Sequence, residues 1–307
     1  MTIAVAWIRD VKGCEELVMV TDSRLSGDGT TFDACTKVIT LPRSDCAIAF
    51  AGYSGHAYPM MHQLSNAIEA HAPLRRGSLD IVSFKTHALK IFDGMSGLIE
   101  SSLGLSSPAN TDPEANFILG GYCWITKSFE VWHIKHSAKQ GKFIAYPPKC
   151  VRIIGHTGEP KFSKILKDED GNLELKTKKL GGSIVVAGDQ KKVFEKRLLS
   201  KLKEKHDISH LDMEPFEVVR DMLREPRHSE TIGGAPQIVK VYQYMRSAPL
   251  GVHWPDRASG SIHLQGRPCL GYERIDRWVL DPDTLWSEHP SYSGHSNGGE
   301  APAQAEA

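Results

Sequence analysis

Apolar residues run almost unbroken through two of the first segments of this 307-residue chain. In Ile3 to Trp7 both alternating sets, Ala4 and Ala6 against Ile3, Val5 and Trp7, are apolar, and Cys46 to Gly52 repeats the pattern. Strands of that kind need cover on both faces. Strands are expected at Thr2 to Ile8 and Glu16 to Asp22, joined by a turn around Val11-Lys12-Gly13. A second pair is expected at Cys35 to Leu41 and Cys46 to Gly52, divided by Pro42-Arg43-Ser44-Asp45. A helical period then takes over. His56 to His71 aligns Tyr58, Met61, Leu64 and Ile68, and Leu79 to Leu103 aligns Phe84, Leu89, Phe92, Met95 and Ile99. Pro59 fits only the first turn of the former helix, because proline has no N–H to give to an inner turn.

Strand patterns return at Asn116 to Trp124, Phe129 to His136, Val151 to Gly155, Ser183 to Ala187 and Gln237 to Tyr244, with helices at Lys191 to Lys205 and Glu214 to Arg224. This order predicts an α+β fold over residues 1–245: a four-layer αββα sandwich, two stacked and mainly antiparallel sheets with helices on both outer faces. Residues 246–286, with Trp254, Trp278 and Trp286, exceed that unit and read as an extension packed on it or at an assembly surface. Residues 287–307, rich in Ser, Gly, Pro, Ala and Glu, read as a disordered tail.

Formal net charge is zero and the isoelectric point is near 7.2, so no global basic field exists to draw nucleic acid or anionic lipid. No apolar run has transmembrane length and no secretory pattern opens the chain, which predicts a cytoplasmic protein without a membrane partner. Six cysteines lack any C-x-x-C spacing, against a zinc ribbon or redox pair, and Cys46 and Cys123 read as core thiols. His133 and His136 are an odd number of residues apart and belong to opposite strand faces, so they are not expected to share a metal. The lysine-rich stretch from Lys191 to Lys205 alternates with Val193, Phe194, Leu198 and Leu202, as a solvated amphipathic helix does.

The candidate chemistry lies in the first hairpin. A turn centred near Lys12 places Thr2 across from Asp22, within about 5.5 Å between Cα atoms. A loop containing Gly27, Gly29 and Asp33 is long enough to return Lys37 to the same point. A threonine hydroxyl is a weak nucleophile until a base takes its proton, and an N-terminal threonine carries a base in its own α-amine. Lys37 would lower the proton affinity of hydroxyl and amine, and Asp22 would hold the ammonium. Taken singly, each residue has a plainer account: Asp22 with Arg24 as an ion pair at a strand end, Lys37 as a solvated residue on an edge strand, and the glycines as turn residues.

Taken in order, Thr2-Ile3-Ala4-Val5-Ala6, Val20-Thr21-Asp22-Ser23-Arg24, Thr36-Lys37-Val38 and Phe50-Ala51-Gly52-Tyr53-Ser54-Gly55 resemble the successive signatures of proteasome-type β subunits and their simpler bacterial ring-peptidase relatives. These are N-terminal-nucleophile (Ntn) hydrolases, which build the αββα sandwich. The resemblance implies Thr2 as nucleophile after removal of Met1, Asp22 and Lys37 as its activating pair, and Gly52 as the oxyanion-binding N–H. It also implies a mostly apolar specificity pocket from Leu25, Ser26, Cys35, Ile39, Phe50 and Ser54. Phe117-Ile118-Leu119-Gly120-Gly121-Tyr122 and Gly233-Gly234-Ala235-Pro236-Gln237 continue the similarity to about Tyr244. Many relatives carry an aspartate and a serine just before the late glycines. Ser229 and Ile232 stand there instead, with Glu230 and Thr231 adjacent, which makes Ser229 and Glu230 the candidates to orient the amine. The family's middle active-site serine has no close counterpart, Ala187-Gly188-Asp189 matching only loosely.

The expectation from the resemblance is a threonine peptidase that cleaves peptides or unfolded proteins without a cofactor. It would assemble as a homo-oligomer such as a ring, with an unfolding ATPase as a further partner. The alternatives are a small-amide amidohydrolase of the same fold and a non-catalytic assembly subunit.

Overall fold

The computed structural model describes residues 2–27, 29–101, 109–110, 112–154, 159–164, 183–203, 210–225 and 231–290. Strand β1 (Ile3–Val11) turns through Lys12 and Gly13, at φ 55° and 84°, into β2 (Cys14–Thr21). Two consecutive left-handed residues give the tight hairpin turn whose twist matches that of its strands. An exposed ribbon, β3 (Leu25–Gly27) with β4 (Thr30–Phe32), leads to β5 (Val38–Thr40) and β6 (Cys46–Gly52). Helices α1 (Ser54–Ala70), α2 (Ala72–Arg75) and α3 (Ile81–Ser96) follow, then the short pair β7 (Glu100–Ser101) and β8 (Ala109–Asn110). Next come β9 (Ala115–Cys123), β10 (Ser128–Ser137), β11 (Lys142–Tyr146), β12 (Lys149–Ile154), β13 (Glu159–Lys164) and β14 (Ser183–Gly188). Helices α4 (Lys191–Lys203) and α5 (Glu214–Arg224) precede β15 (Gln237–Tyr242), β16 (Arg246–His253), β17 (Ile262–Leu264), β18 (Arg267–Pro268), β19 (Val279–Leu280) and β20 (Ser287–Glu288).

The larger sheet runs β13-β12-β14-β1-β2-β15-β16-β17-β18, with β19 and β20 attached at β16, and the smaller runs β11-β10-β9-β6-β5. Between them lie Ala4, Ala6, Leu17, Met19, Ala47, Ala49, Ile118 and Val239. The small side chains let the sheets approach so closely that a Cβ on Gly120 would come within 2.7 Å of Leu17 and 2.9 Å of Met19. The opposite face of β1 places Ile3, Val5 and Trp7 with Phe194 and Leu198 of α4 and Phe216 and Val219 of α5. The opposite face of β6 places Ile48 and Phe50 with Met61 and Leu64 of α1 and Phe84 and Phe92 of α3. This is the double cover that the apolar runs demand.

The expected four-layer αββα sandwich is overturned. The chain is mostly β, and its helices, five among the described residues and one of them a single turn, patch the sheets and do not form two complete outer layers. Helix α4 lies against β13 and β14 and α5 against β1 and β2, while β16 to β18 carry the larger sheet past both. The sequence pattern hides this because β17, β18 and β20 are only two or three residues long, too short to show a period. Residues 246–286 therefore extend the sheet, and Ser287–Glu288, placed by the sequence in the tail, pair with β19. Residues 291–307 lie outside the described residues.

Local chemistry sets the helix ends. Asp80 accepts from the Val82 and Ser83 N–H groups and starts α3 at Ile81, later than the apolar pattern alone suggests. Helix α1 begins at Ser54, ahead of its expected start, which puts Pro59 inside the helix at the cost of one hydrogen bond to the Gly55 carbonyl. Among the described residues no helix is long and apolar enough to cross a membrane.

Candidate functional site

The hairpin register pairs Ala4 with Thr21, so Ile3 stands opposite Asp22 and Thr2 lies one residue beyond. Asp22 N donates to the Ile3 carbonyl at 3.3 Å. The difference from the sequence expectation is the turn, which takes two residues, Lys12 and Gly13, and so shifts every pair by one. Thr2 is nonetheless held beside Asp22, through Lys37.

Lys37 is brought back by the loop after Asp22. Arg24 makes a two-pronged ion pair with Asp33, 2.6 and 2.7 Å, and Cys35 N donates to the Ser23 carbonyl at 2.9 Å. Gln237 on β15 then fixes the approach: its Oε1 accepts from Lys37 N at 2.9 Å and its Nε2 donates to the Cys35 carbonyl at 2.5 Å. Lys37 Nζ reaches both Asp22 oxygens, at 3.0 and 3.1 Å, and donates to Thr2 Oγ1. Lys37 and Asp22 are fully buried and Thr2 is 1% exposed, which removes the edge-strand account of the lysine.

Asp22 also accepts from the backbone N–H groups of Ile3 and Arg24, both at 3.1 Å, and of Gly233 at 3.3 Å. Burial pushes its carboxyl above the usual carboxylate range, and the Lys37 ammonium and the Ile3 and Arg24 N–H groups pull against that. Lys37 Nζ and the N–H groups of Ile3, Arg24 and Gly233 are all donors, so the arrangement suits the ionised acceptor.

On the other edge of β1, Ile3 pairs with Gly188, so Asp189 adjoins Thr2 and accepts from Thr2 N at 2.7 Å. Gly188, at φ 107°, is required there: a Cβ would sit 1.8 Å from the Thr2 carbonyl oxygen. Burial works against the Asp189 carboxylate, but hydrogen bonds from Thr2 N and the Thr231 hydroxyl outweigh it and hold the group below its ordinary value. Gln190 Nε2 donates to Thr231 Oγ1 at 3.1 Å. Ser229 and Glu230, the sequence candidates for orienting the amine, lie outside the described residues. Asp189, Thr231 and Gln237 were missed. The only sequence signal for Asp189 is a Gly-Asp step at the end of a strand, informative once β14 is known to pair with β1.

A cavity of about 720 Å³ opens beside Thr2, lined in part by Gly52, Leu25, Ser26, Ser54 and Asp189. Gly52 lies at φ 112°, where a Cβ would come within 2.2 Å of the Glu114 carbonyl oxygen. Phe50 N donates to the Lys37 carbonyl, and since strand N–H groups alternate sides, the Gly52 N–H points the same way, toward the Lys37 side. Cys35, Ile39 and Phe50 do not line this cavity. They face α1 within the helix-covered cluster, where Cys35 Sγ meets Tyr58 Oη and the Phe50 ring meets Tyr58 edge-on at 5.0 Å. The pairing of Val38 with Ala49 turns those two toward the opposite sheet and so turns Ile39 and Phe50 toward the helices.

His133 lines the same cavity, whereas His136, on the other face of β10, places Nδ1 3.3 Å from Asp112. Burial, reinforced by the charges of Lys191, Lys135 and Lys149, pushes the His133 imidazole down to about 4. The unfolded chain therefore binds a proton between about pH 6.5 and 4 that the folded chain refuses, so stability falls as pH drops through that window. The loss is on the order of 3 kcal/mol at the acid end. His133→Gln is expected to flatten the pH dependence of the urea midpoint between about pH 7 and 4.5 relative to wild type. An unchanged slope would refute this account.

No family model matches the chain, and no curated protein matches it.

Proposed function

We propose that the chain is a threonine-type amide hydrolase acting on peptide bonds, with Thr2 as nucleophile once it is the first residue. The observation that carries this reading is a fully buried lysine, held by Asp22, that donates to Thr2 Oγ1. Burying so large a cation is costly, and its placement on a hydroxyl at the wall of an open cavity gives the cost a chemical return. The order of motifs shared with proteasome-type subunits supports the same reading.

In the mechanism Thr2 Oγ attacks the substrate carbonyl carbon while its proton passes to the Thr2 α-amine, whose ordinary pKa of roughly 8 leaves a usable neutral fraction near pH 7. Lys37 stabilises the oxygen as it loses the proton. The Gly52 N–H is aimed at the side where the carbonyl oxygen becomes an oxyanion. The protonated Thr2 α-amine then gives its proton to the leaving amine, which leaves an ester on Thr2. Water, deprotonated by the same amine, cleaves the ester and restores the hydroxyl. Asp189 holds the amine in place through both steps.

The test joins mass and activity. Protein whose intact mass begins at Thr2 is expected to hydrolyse fluorogenic peptides with an apolar residue before the scissile bond, and protein that retains Met1 to be inert. Equal activity of the two forms would overturn the amine as base, and turnover of small amides alone would move the substrate class. A homo-oligomer belongs to the same reading. Leu270, Tyr272, Trp278 and Trp286 of residues 246–286 are exposed apolar side chains that an interface would cover, and sizing chromatography checks it.

A further inference from the structure

Behind the Thr2 cavity, where the chain crosses from the smaller sheet to the larger through Pro147 and Pro148, a second cavity of about 320 Å³ opens. The two share His133, Lys135 and Lys191 as a common wall. His133 and Lys135 have the same strand parity as Phe129 and Val131, which meet the opposite sheet. Lys191 stands in the first turn of α4, and Lys149 at the start of β12 completes a group of three lysines.

Their charge is poorly balanced. Lys149 Nζ pairs with Glu195 at 3.0 Å, and Lys135 Nζ lies 4.9 Å from the centre of the Tyr146 ring. Among the described residues neither Lys135 nor Lys191 forms an ion pair within 4.0 Å. His133 Nε2 is buried without a hydrogen-bond partner. Burial and the neighbouring Lys149 also push the Lys191 ammonium down, so an anion arriving here relieves repulsion as well as making contacts. Glu114 and Asp189 face the Thr2 cavity and are not part of the second one, which leaves the lysine-lined end as the place for negative charge.

We propose that this junction is a subsite for a carboxylate of the peptide substrate, held by Lys135 and Lys191 with the His133 imidazole beside it. The inference rests on the Thr2 cavity being where the peptide binds. The carboxylate has two possible sources with the same chemistry, an acidic side chain or the free C-terminus, and a space of this size holds one or two side chains but no folded partner. Lysines on a cavity wall recognise charge with little demand on geometry, which suits a group presented by a flexible peptide.

The experiment reads binding, so that it succeeds or fails apart from turnover. Thr2→Ala protein is titrated by fluorescence anisotropy with labelled hexapeptides in which glutamate replaces glutamine at each position in turn, and with a pair differing only in a C-terminal acid or amide. At one position, or at the terminus, the carboxylate peptide is expected to bind at least about tenfold more tightly, one well-made ion pair's worth. In Lys135→Met/Lys191→Met protein that advantage disappears while the glutamine or amide peptide binds as before. Raising salt from about 0.05 to about 0.5 M in the protein with both lysines intact is expected to shrink the same advantage, a readout independent of the lysine variants' folding. Equal binding of acid and neutral peptides everywhere, absence of any peptide binding, or an advantage that survives both lysine substitutions and salt overturns the subsite. A preference without hydrolysis by wild type would keep the subsite and remove the peptidase reading.

Discussion

Thr2→Ala protein is expected to hydrolyse peptide amides at least about 10³-fold more slowly than wild type while remaining folded. The substitution removes one oxygen and one methyl from a position that is 1% exposed, and Lys37 keeps both its contacts to Asp22. The expected stability change is about 1 kcal/mol, the net value of one hydrogen bond. Rate and stability therefore separate. Thr2→Ser keeps an attacking hydroxyl within reach of Lys37 and is expected to retain far more of the activity than alanine does. Measured kcat for the three proteins, with denaturation midpoints alongside, decides the point. Full hydrolysis by the alanine protein would end the threonine-nucleophile reading.

The second large effect is on folding. Lys37→Met is expected to destabilise the chain by about 3–5 kcal/mol, because it leaves the Asp22 carboxylate buried without its counter-charge. Asp22→Asn leaves the lysine in the same predicament but keeps a carbonyl oxygen to accept some of the N–H groups of Ile3, Arg24 and Gly233. The double substitution is expected to cost less than the sum of the two, since neither side chain is then charged and alone. Urea denaturation of the four proteins closes the cycle. Strict additivity would mean that the pair does not interact as the geometry requires. Both single variants should also lose turnover, because the group that stabilises the Thr2 oxygen is absent or misplaced.

The residues that converge were legible because they are local. Thr2, Asp22 and Lys37 lie within one hairpin and one loop, where spacing alone limits the outcome, and the error was a single residue of register introduced by the turn. Helix α5 was read to its ends because Phe216, Val219 and Met222 repeat at helical spacing after Pro215 in the first turn. Asp189 was not legible. Its contact to Thr2 crosses 187 positions of sequence and exists only because β14 pairs with β1, which no local pattern announces. Cys35, Ile39 and Phe50 were misplaced for a related reason: a similar motif names strand positions, but which face meets the cavity depends on the sheet around it. The fold class failed at the C-terminal end, where pairs of residues such as Arg267–Pro268 become strands only because a neighbouring edge is there to receive them.

Exposed turns are ordinarily the places where a chain tolerates insertion. The turn at Lys12 and Gly13 is an exception, although it lies at the far end of the hairpin from Thr2. Its length decides which residue of β1 faces Asp22, and a slip of one residue would exchange Ile3, Val5 and Trp7 with Ala4 and Ala6 between the two faces of the strand. Bulk would be driven into the close-packed seam between the sheets, and the packing beneath α4 and α5 would be hollowed out. Keeping Thr2 beside Asp22 and Lys37 is thereby also a constraint on the length of a solvent-facing loop at the far end of the hairpin, and homologues that keep those three residues should vary in the composition of that loop before they vary in its length.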